Sequence, residues 1–189
     1  MKKKLLLHSC CAPCASGVVP QIEGYEITLL FYNPNIDTQE EYNLRLATLE
    51  EYVNKYNEEF DANLKYIAIP YNHNEFLKGA KSLKDEPEGA KRCVFCINQR
   101  LEYTAQFAIE NDYDIFASTL SVSPHKDHNL INDIGFNLSK KYGVDYLQSN
   151  FKKNNGFLKS IQNSYKYQLY RQKYCGCEFA KGHLKNSQI

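Results

Sequence analysis

"LLLHSCCAPCASGVVPQI", residues 5–22, sets three consecutive leucines ahead of a histidine and then three cysteines within five positions. An unbroken apolar run this short reads as a strand buried on both faces, Leu5 to His8. It opens into the loop "SCCAPC", and a short helix is expected from about Ala15 to Ile22. Strand, loop and helix in that order form the repeating unit of a parallel α/β fold.

The same unit recurs along the chain. "YEITLLFYN" is a second strand ended by the turn "NPN". From Thr38 the apolar positions Tyr42, Leu46, Leu49, Val53 and Tyr56 fall at helical intervals of four and three. "LKYIAIP" is the third strand, and Glu75 to Lys81 a short helix. The polar loop "DEPEGAKR" leads into a long helix from about Cys93 to Glu110. "YDIFAST" is the fourth strand, "LSVSPHKDH" a loop, and Asp127 to Tyr142 a helix with Ile131, Ile134 and Leu138 inward. "VDYLQS" is the fifth strand, with a mainly helical tail beyond it. The expectation is a parallel sheet covered on both faces, with ligands beyond the carboxyl ends of its strands. The cysteine loop, the "NPN" turn and the Ser-Pro loop would all lie at that edge.

A chain of 189 residues with 43% apolar content is expected to build one domain, residues 1–189. No run reaches membrane-spanning length. Lys2, Lys3 and Lys4 precede only three leucines, too short for a signal-peptide core, so a cytoplasmic protein is expected. The net charge of +1 conceals an asymmetry. From residue 150 onward eight basic residues (Lys152, Lys153, Lys159, Lys166, Arg171, Lys173, Lys181, Lys185) face Glu178 alone. That region carries +7 and the remainder −6, which favours an anionic partner, nucleic acid first.

The seven cysteines form three groups: Cys10, Cys11 and Cys14; Cys93 and Cys96; Cys175 and Cys177. In a cytosolic chain such use points to metal or redox chemistry rather than a disulfide framework. A C-x-x-C at a helix start puts both sulfurs on one face, where free N–H groups favour the thiolate. Cys10, Cys11, Cys93 and Cys96 offer four thiolates, suited to structural zinc or to a four-iron cluster. A disulfide across Cys175-Gly-Cys177 would close a small, strained and easily reduced ring, and metal binding is the other use of that spacing. A zinc protein that binds RNA and a thiol-disulfide oxidoreductase using "CVFC" are the alternatives, although a polar loop rather than a strand precedes that motif.

"HSCCAPC", "FYNPNI" followed by "EEYNLRL", "DEPEGAKRCVFCINQRLEYTA", "STLSVSPHKDH" and "LYRQKYCGC" together resemble the cobalamin-independent epoxyqueuosine reductases of the QueH type, over nearly the whole chain. The resemblance implies a Rossmann-like, adenine-nucleotide-hydrolase-like α/β domain with a helical C-terminal extension. It implies reduction of the epoxide of epoxyqueuosine to queuosine at the tRNA wobble position. It also implies a [4Fe-4S] cluster on Cys10, Cys11, Cys93 and Cys96. Cys175 and Cys177 would be the catalytic pair, cycling between dithiol and disulfide or holding a second metal ion, iron or zinc. Cys14 and Asp85 stand as additional metal ligands or acids. The partners implied are tRNA carrying epoxyqueuosine and an electron donor of unspecified identity, with no membrane.

Within the tail, Tyr165, Tyr167, Tyr170 and Tyr174 interleave with Lys166, Arg171 and Lys173. Such a pattern can stack on splayed bases while the cations meet phosphate. Lys166, Arg171, Lys173 and Tyr174 are the candidate tRNA contacts. His125, Lys126 and His128 are candidates for proton donation or phosphate contact.

Overall fold

The computed structural model describes residues 2–180. Its five strands are β1 (Lys3–His8), β2 (Tyr25–Phe31), β3 (Lys65–Ala68), β4 (Ile115–Ser118) and β5 (Asp145–Tyr146). They form one sheet in the order β3-β2-β1-β4-β5, every pair parallel. This is a Rossmann-like arrangement. The helices are α1 (Ala12–Val18), α2 (Gln39–Phe60), α3 (His73–Ala80), α4 (Lys91–Glu110), α5 (His128–Tyr142) and α6 (Gly156–Lys166).

The leucine run is buried on both faces, as its composition demands. Leu5 and Leu7 join the core beneath α1 and α2, whereas Leu6 joins the one beneath α4 and α5. All three are fully buried, each worth about 1.5–3 kcal/mol relative to exposure. α2 begins where Thr38 caps it by accepting the Glu41 N–H at 3.1 Å, with Glu40 and Glu41 in its first turn. α5 begins on the Asp127 cap and ends on Gly143 in the left-handed region.

Two expected elements differ. The first helix starts at Ala12 rather than Ala15, because Cys11 is the extended cap residue and its Sγ accepts the Cys14 N–H at 3.4 Å. The tail is α-helical only over α6, with short 3-10 turns at Lys153–Asn155 and over residues 178–180. Beyond it Gln168 (φ 54°) and Gly176 (φ +126°) adopt backbone angles that no α-helix contains, and the segment runs as an irregular strap. Lys181 and Lys185 of the basic tail lie outside the described residues. Among the described residues no helix is long and apolar enough to cross a membrane.

α6 lies against α1 at a glycine. A Cβ on Gly17 would meet the Gly156 carbonyl oxygen and the Ser160 Cβ, each at 2.7 Å. Asn163 clamps the same contact by donating to the Ser16 carbonyl at 2.7 Å. Gly17→Val is therefore expected to cost about 1–3 kcal/mol through overpacking. At about 2–4 °C per kcal/mol for a chain of this size, thermal unfolding followed by circular dichroism should show a clear drop. An unchanged melting temperature would mean that α6 does not pack there.

Candidate functional site

The strand order turns at β1 and β4, from which the chain leaves in opposite directions, and this opens a crevice beyond their carboxyl ends. His8 closes the floor of the crevice. Its Nε2 donates to the Tyr32 carbonyl at 3.2 Å, and its Nδ1 accepts the Ser118 hydroxyl at 3.0 Å. Burial, with the Arg100 charge nearby, lowers its pKa to about 4, so the ring is neutral and this tautomer satisfies both partners. Asn33 donates to the Ser9 carbonyl at 2.9 Å, tying the "NPN" turn to the cysteine loop.

Cys10, Cys11 and Cys14 converge there, with their three sulfurs within 4.8 Å of one another. Hydrogen bonds from Cys11 and then Cys14 hold the Cys10 thiol well below its usual range. The same contact pushes Cys11 up to about 12 and Cys14 well upward. Of the trio, Cys10 is the thiol that ionises most readily. The Gln172 side-chain amide donates to Cys11 Sγ at 3.0 Å, so the tail reaches this loop directly.

The other two cysteine groups line a cavity of about 190 Å³, with Cys93, Cys96, Cys175, Cys177, Arg100 and Lys126 in its wall and Cys10, Cys11 and Cys14 outside it. α4 delivers Cys93 in its first turn, where the Gly89 N–H donates to its sulfur at 3.2 Å. Lys126 donates to Cys175 Sγ at 3.4 Å. Burial opposes ionisation of Cys175, but the Lys126 and Arg100 charges outweigh it and hold the thiol below its usual range. Cys177 is pushed up to about 11 by burial and by Cys175. Cys175 therefore ionises more readily than Cys177, and all seven cysteines are free of disulfides.

The strap that carries this pair is held by polar contacts. Arg45 donates to the Tyr174 and Cys175 carbonyls, both at 3.3 Å, and its own charge is balanced by Glu41 at 2.7 Å. The Asp37 N–H donates to the Gly176 carbonyl at 3.0 Å, and the Tyr174 hydroxyl to the Asp37 carboxylate at 3.0 Å. Gly176 needs its missing Cβ both for its positive φ and for the Arg45 and Asn35 side chains 3.2 Å away.

Of the residues singled out from the sequence, Cys93, Cys96, Cys175, Cys177, His125 and Lys126 line the cavity. Asp85 is exposed and does not; Glu88 and Gly89 are the members of its loop that do. His128 faces Asp127 at 4.0 Å. Arg171 and Lys173 are exposed near the cysteine strap. Lys166 instead pairs with Glu59, in the last turn of α2. Tyr174 is engaged with Asp37, and Tyr165 is 74% exposed.

Sequence reasoning missed Arg45, Arg100, Gln172 and Asn35. The two arginines had a signal: each stands at a buried position of an amphipathic helix, among residues such as Leu49 and Leu101. Asn35 is 2% exposed, lines the cavity, and its Oδ1 has no partner among the described residues. It is a buried acceptor available to a ligand hydroxyl.

Comparison with known proteins now adds identity to geometry. The family model described as "Epoxyqueuosine reductase QueH" matches residues 5–183. The epoxyqueuosine reductase QueH of Staphylococcus epidermidis is 43% identical over 182 residues, which cover 95% of this chain and 76% of that protein. The protein of the same name from Thermotoga maritima is 37% identical over 179 residues, 93% of this chain and 89% of that one. Among solved structures, a predicted subunit of tRNA methyltransferase from Methanocaldococcus jannaschii superimposes with a TM-score of 0.50 at 15% identity. That match covers 87% of this chain and 75% of the other, a likeness of fold alone. The chain belongs to the QueH family of epoxyqueuosine reductases.

Proposed function

We propose that the chain acts as one reductase domain that converts the epoxide of epoxyqueuosine, at the wobble position of tRNA, to the cyclopentene of queuosine. The supporting observation is that the charge of buried Arg100 reaches all three cysteine groups at the sheet's ligand edge, with the Cys10 trio converged and the other two groups lining one cavity beside Lys126. Seven unbridged thiols form a soft donor set that fits an iron–sulfur cluster. In this reading Cys10, Cys11, Cys93 and Cys96 hold a [4Fe-4S] cluster, and Cys14 is a spare donor beside them. The cluster supplies electrons one at a time when bound.

The overall change requires two electrons, two protons and departure of one oxygen as water. An external donor supplies the electrons. The chain's own residues prepare the rest. Lys126 favours ionisation of Cys175 and brings N–H protons into the cavity, and His125 stands at its rim. Asn35 offers its carbonyl to a hydroxyl of the substrate ring. Cys175 and Cys177 work beside the cluster, as a dithiol that closes to a disulfide or as ligands of a second iron or zinc ion. Arg171 and Lys173 meet the RNA backbone.

Three outcomes are expected. Replacing Cys93 and Cys96 together with Ser should strip most iron and sulfide from anaerobically reconstituted protein, because a hydroxyl oxygen is a poor ligand for such clusters. Full occupancy, or a colourless wild-type protein with stoichiometric zinc, would sink the ligand assignment.

The Cys175→Ser, Cys177→Ser double variant should retain its iron and visible spectrum yet yield no queuosine in digested tRNA, read by mass spectrometry. Retained turnover would make the pair structural.

For RNA binding, Arg171→Ala with Lys173→Ala should weaken tRNA binding and flatten its salt dependence by about two phosphate contacts. Lys166→Ala should change it much less, since Glu59 already takes that charge. Equal effects from both sets would place the RNA elsewhere on the tail.

A further inference from the structure

We propose that Arg100, buried, and Lys126, half-buried, are the counter-charges of the cysteine centre, a cationic pair that makes an iron–sulfur group held there easier to reduce. The proposal rests on the cofactor reading above and adds the residues that tune it.

Arg100 sits on α4 one turn beyond Cys96, 2% exposed, with its Nε donating to the Cys96 carbonyl at 3.0 Å. Among the described residues no carboxylate lies within ion-pair distance of it. Of the other buried arginines, Arg45 has Glu41 at 2.7 Å, whereas Arg92, also in the cavity wall, spends its donors on the carbonyls of Leu83, Lys84 and Glu86. A guanidinium does not lose its proton, and a buried charge is strongly unfavourable unless something negative faces it.

What faces Arg100 is sulfur: its charge acts on Cys96, Cys175, Cys10 and Cys177. Lys126 shares the cavity, bonded to Cys175, and each cation repels the other. The cavity's two acids are engaged or distant. Asp127 caps α5 through the Asn129 N–H at 2.8 Å, and Glu88 is exposed on the opposite loop. Arg100 and Lys126, with Arg92 also in the wall, line a cavity whose two carboxylates are exposed, one of them engaged as a helix cap, and such a site is built for negative charge. Four thiolates with a cluster bring that charge, and each added electron increases it. Fixed cations stabilise the more negative, reduced state.

The test is a redox titration of the anaerobically reconstituted full chain, monitored by electron paramagnetic resonance. Arg100→Met and Lys126→Met are each expected to weaken electron affinity about tenfold, which is 59 mV downward for a one-electron couple. Lys126→Arg should restore most of the shift. Should Arg100→Met fail to fold, Lys126→Met and its arginine counterpart decide the matter. Arg100→Lys, which keeps the charge, should restore most of the Arg100→Met shift. A potential that stays at the Arg100→Met value would assign Arg100 to packing and overturn its part.

Iron-loaded variants with unmoved potentials overturn the counter-charge proposal while leaving the cluster in place. Wild-type protein that takes up neither iron nor sulfide overturns the cofactor reading and this proposal with it. Iron and sulfide quantitation tells the two failures apart.

Discussion

The central strand β1 is paired in parallel with β2 on one side and β4 on the other, from Leu5 to His8. Everything functional follows from that double pairing. A strand locked on both sides, with its leucines buried above and below, has its carboxyl end fixed to within the precision of the sheet. His8 strengthens the lock by bonding to Tyr32 after β2 and to Ser118 at the end of β4. The next residues are the cysteines. Their loop inherits its position from the most constrained part of the molecule, and it is rigid for a reason that has nothing to do with metal.

The two other cysteine groups arrive by different physical means. Cys93 and Cys96 are carried by α4, a 20-residue helix whose apolar face packs on the sheet, so hydrophobic burial places them. Cys175 and Cys177 belong to a strap held by hydrogen bonds from Arg45, Asp37 and Lys126 and by packing against Phe76, Ala80 and Cys96. Arg45 can do so because Glu41 neutralises it before it reaches the strap carbonyls. Arg45 and Arg100 therefore illustrate opposite uses of a buried guanidinium. One is paired with Glu41 and spends its donors on the strap, while the other has no carboxylate partner among the described residues and faces the thiols.

How much of this was legible in the sequence depended on the kind of interaction. The sheet was legible because its strands are apolar runs separated by helices of regular spacing, a local signal. So was the convergence of loops after β1, β2 and β4, which is a consequence of parallel topology. The start of α1 was misplaced because a cysteine served as its cap, a role usually taken by a hydroxyl or carboxylate. The tail was read as helical because its polar tether to Arg45 spans about 130 residues and leaves no local trace. Lys166 looked like one of a basic series until Glu59 was seen beside it. Arg100 looked like any helix-forming residue, although a charge among buried positions was the clue. Asp85 and Glu88 share one polar loop, and only the fold distinguishes the one that reaches the cavity.

The strap has a consequence for the order of events during synthesis. The sheet is complete in sequence at Tyr146, but Cys175 and Cys177 follow only after α6. At ordinary rates of translation the intervening roughly 30 residues take about 2–6 s to make. During that interval the cysteines of the β1 loop and of α4 exist without their tail partners, and the Gln172 amide that meets Cys11 has not been made. The cavity acquires one of its walls last, so the newborn chain presents an open thiol site that the finished protein partly closes.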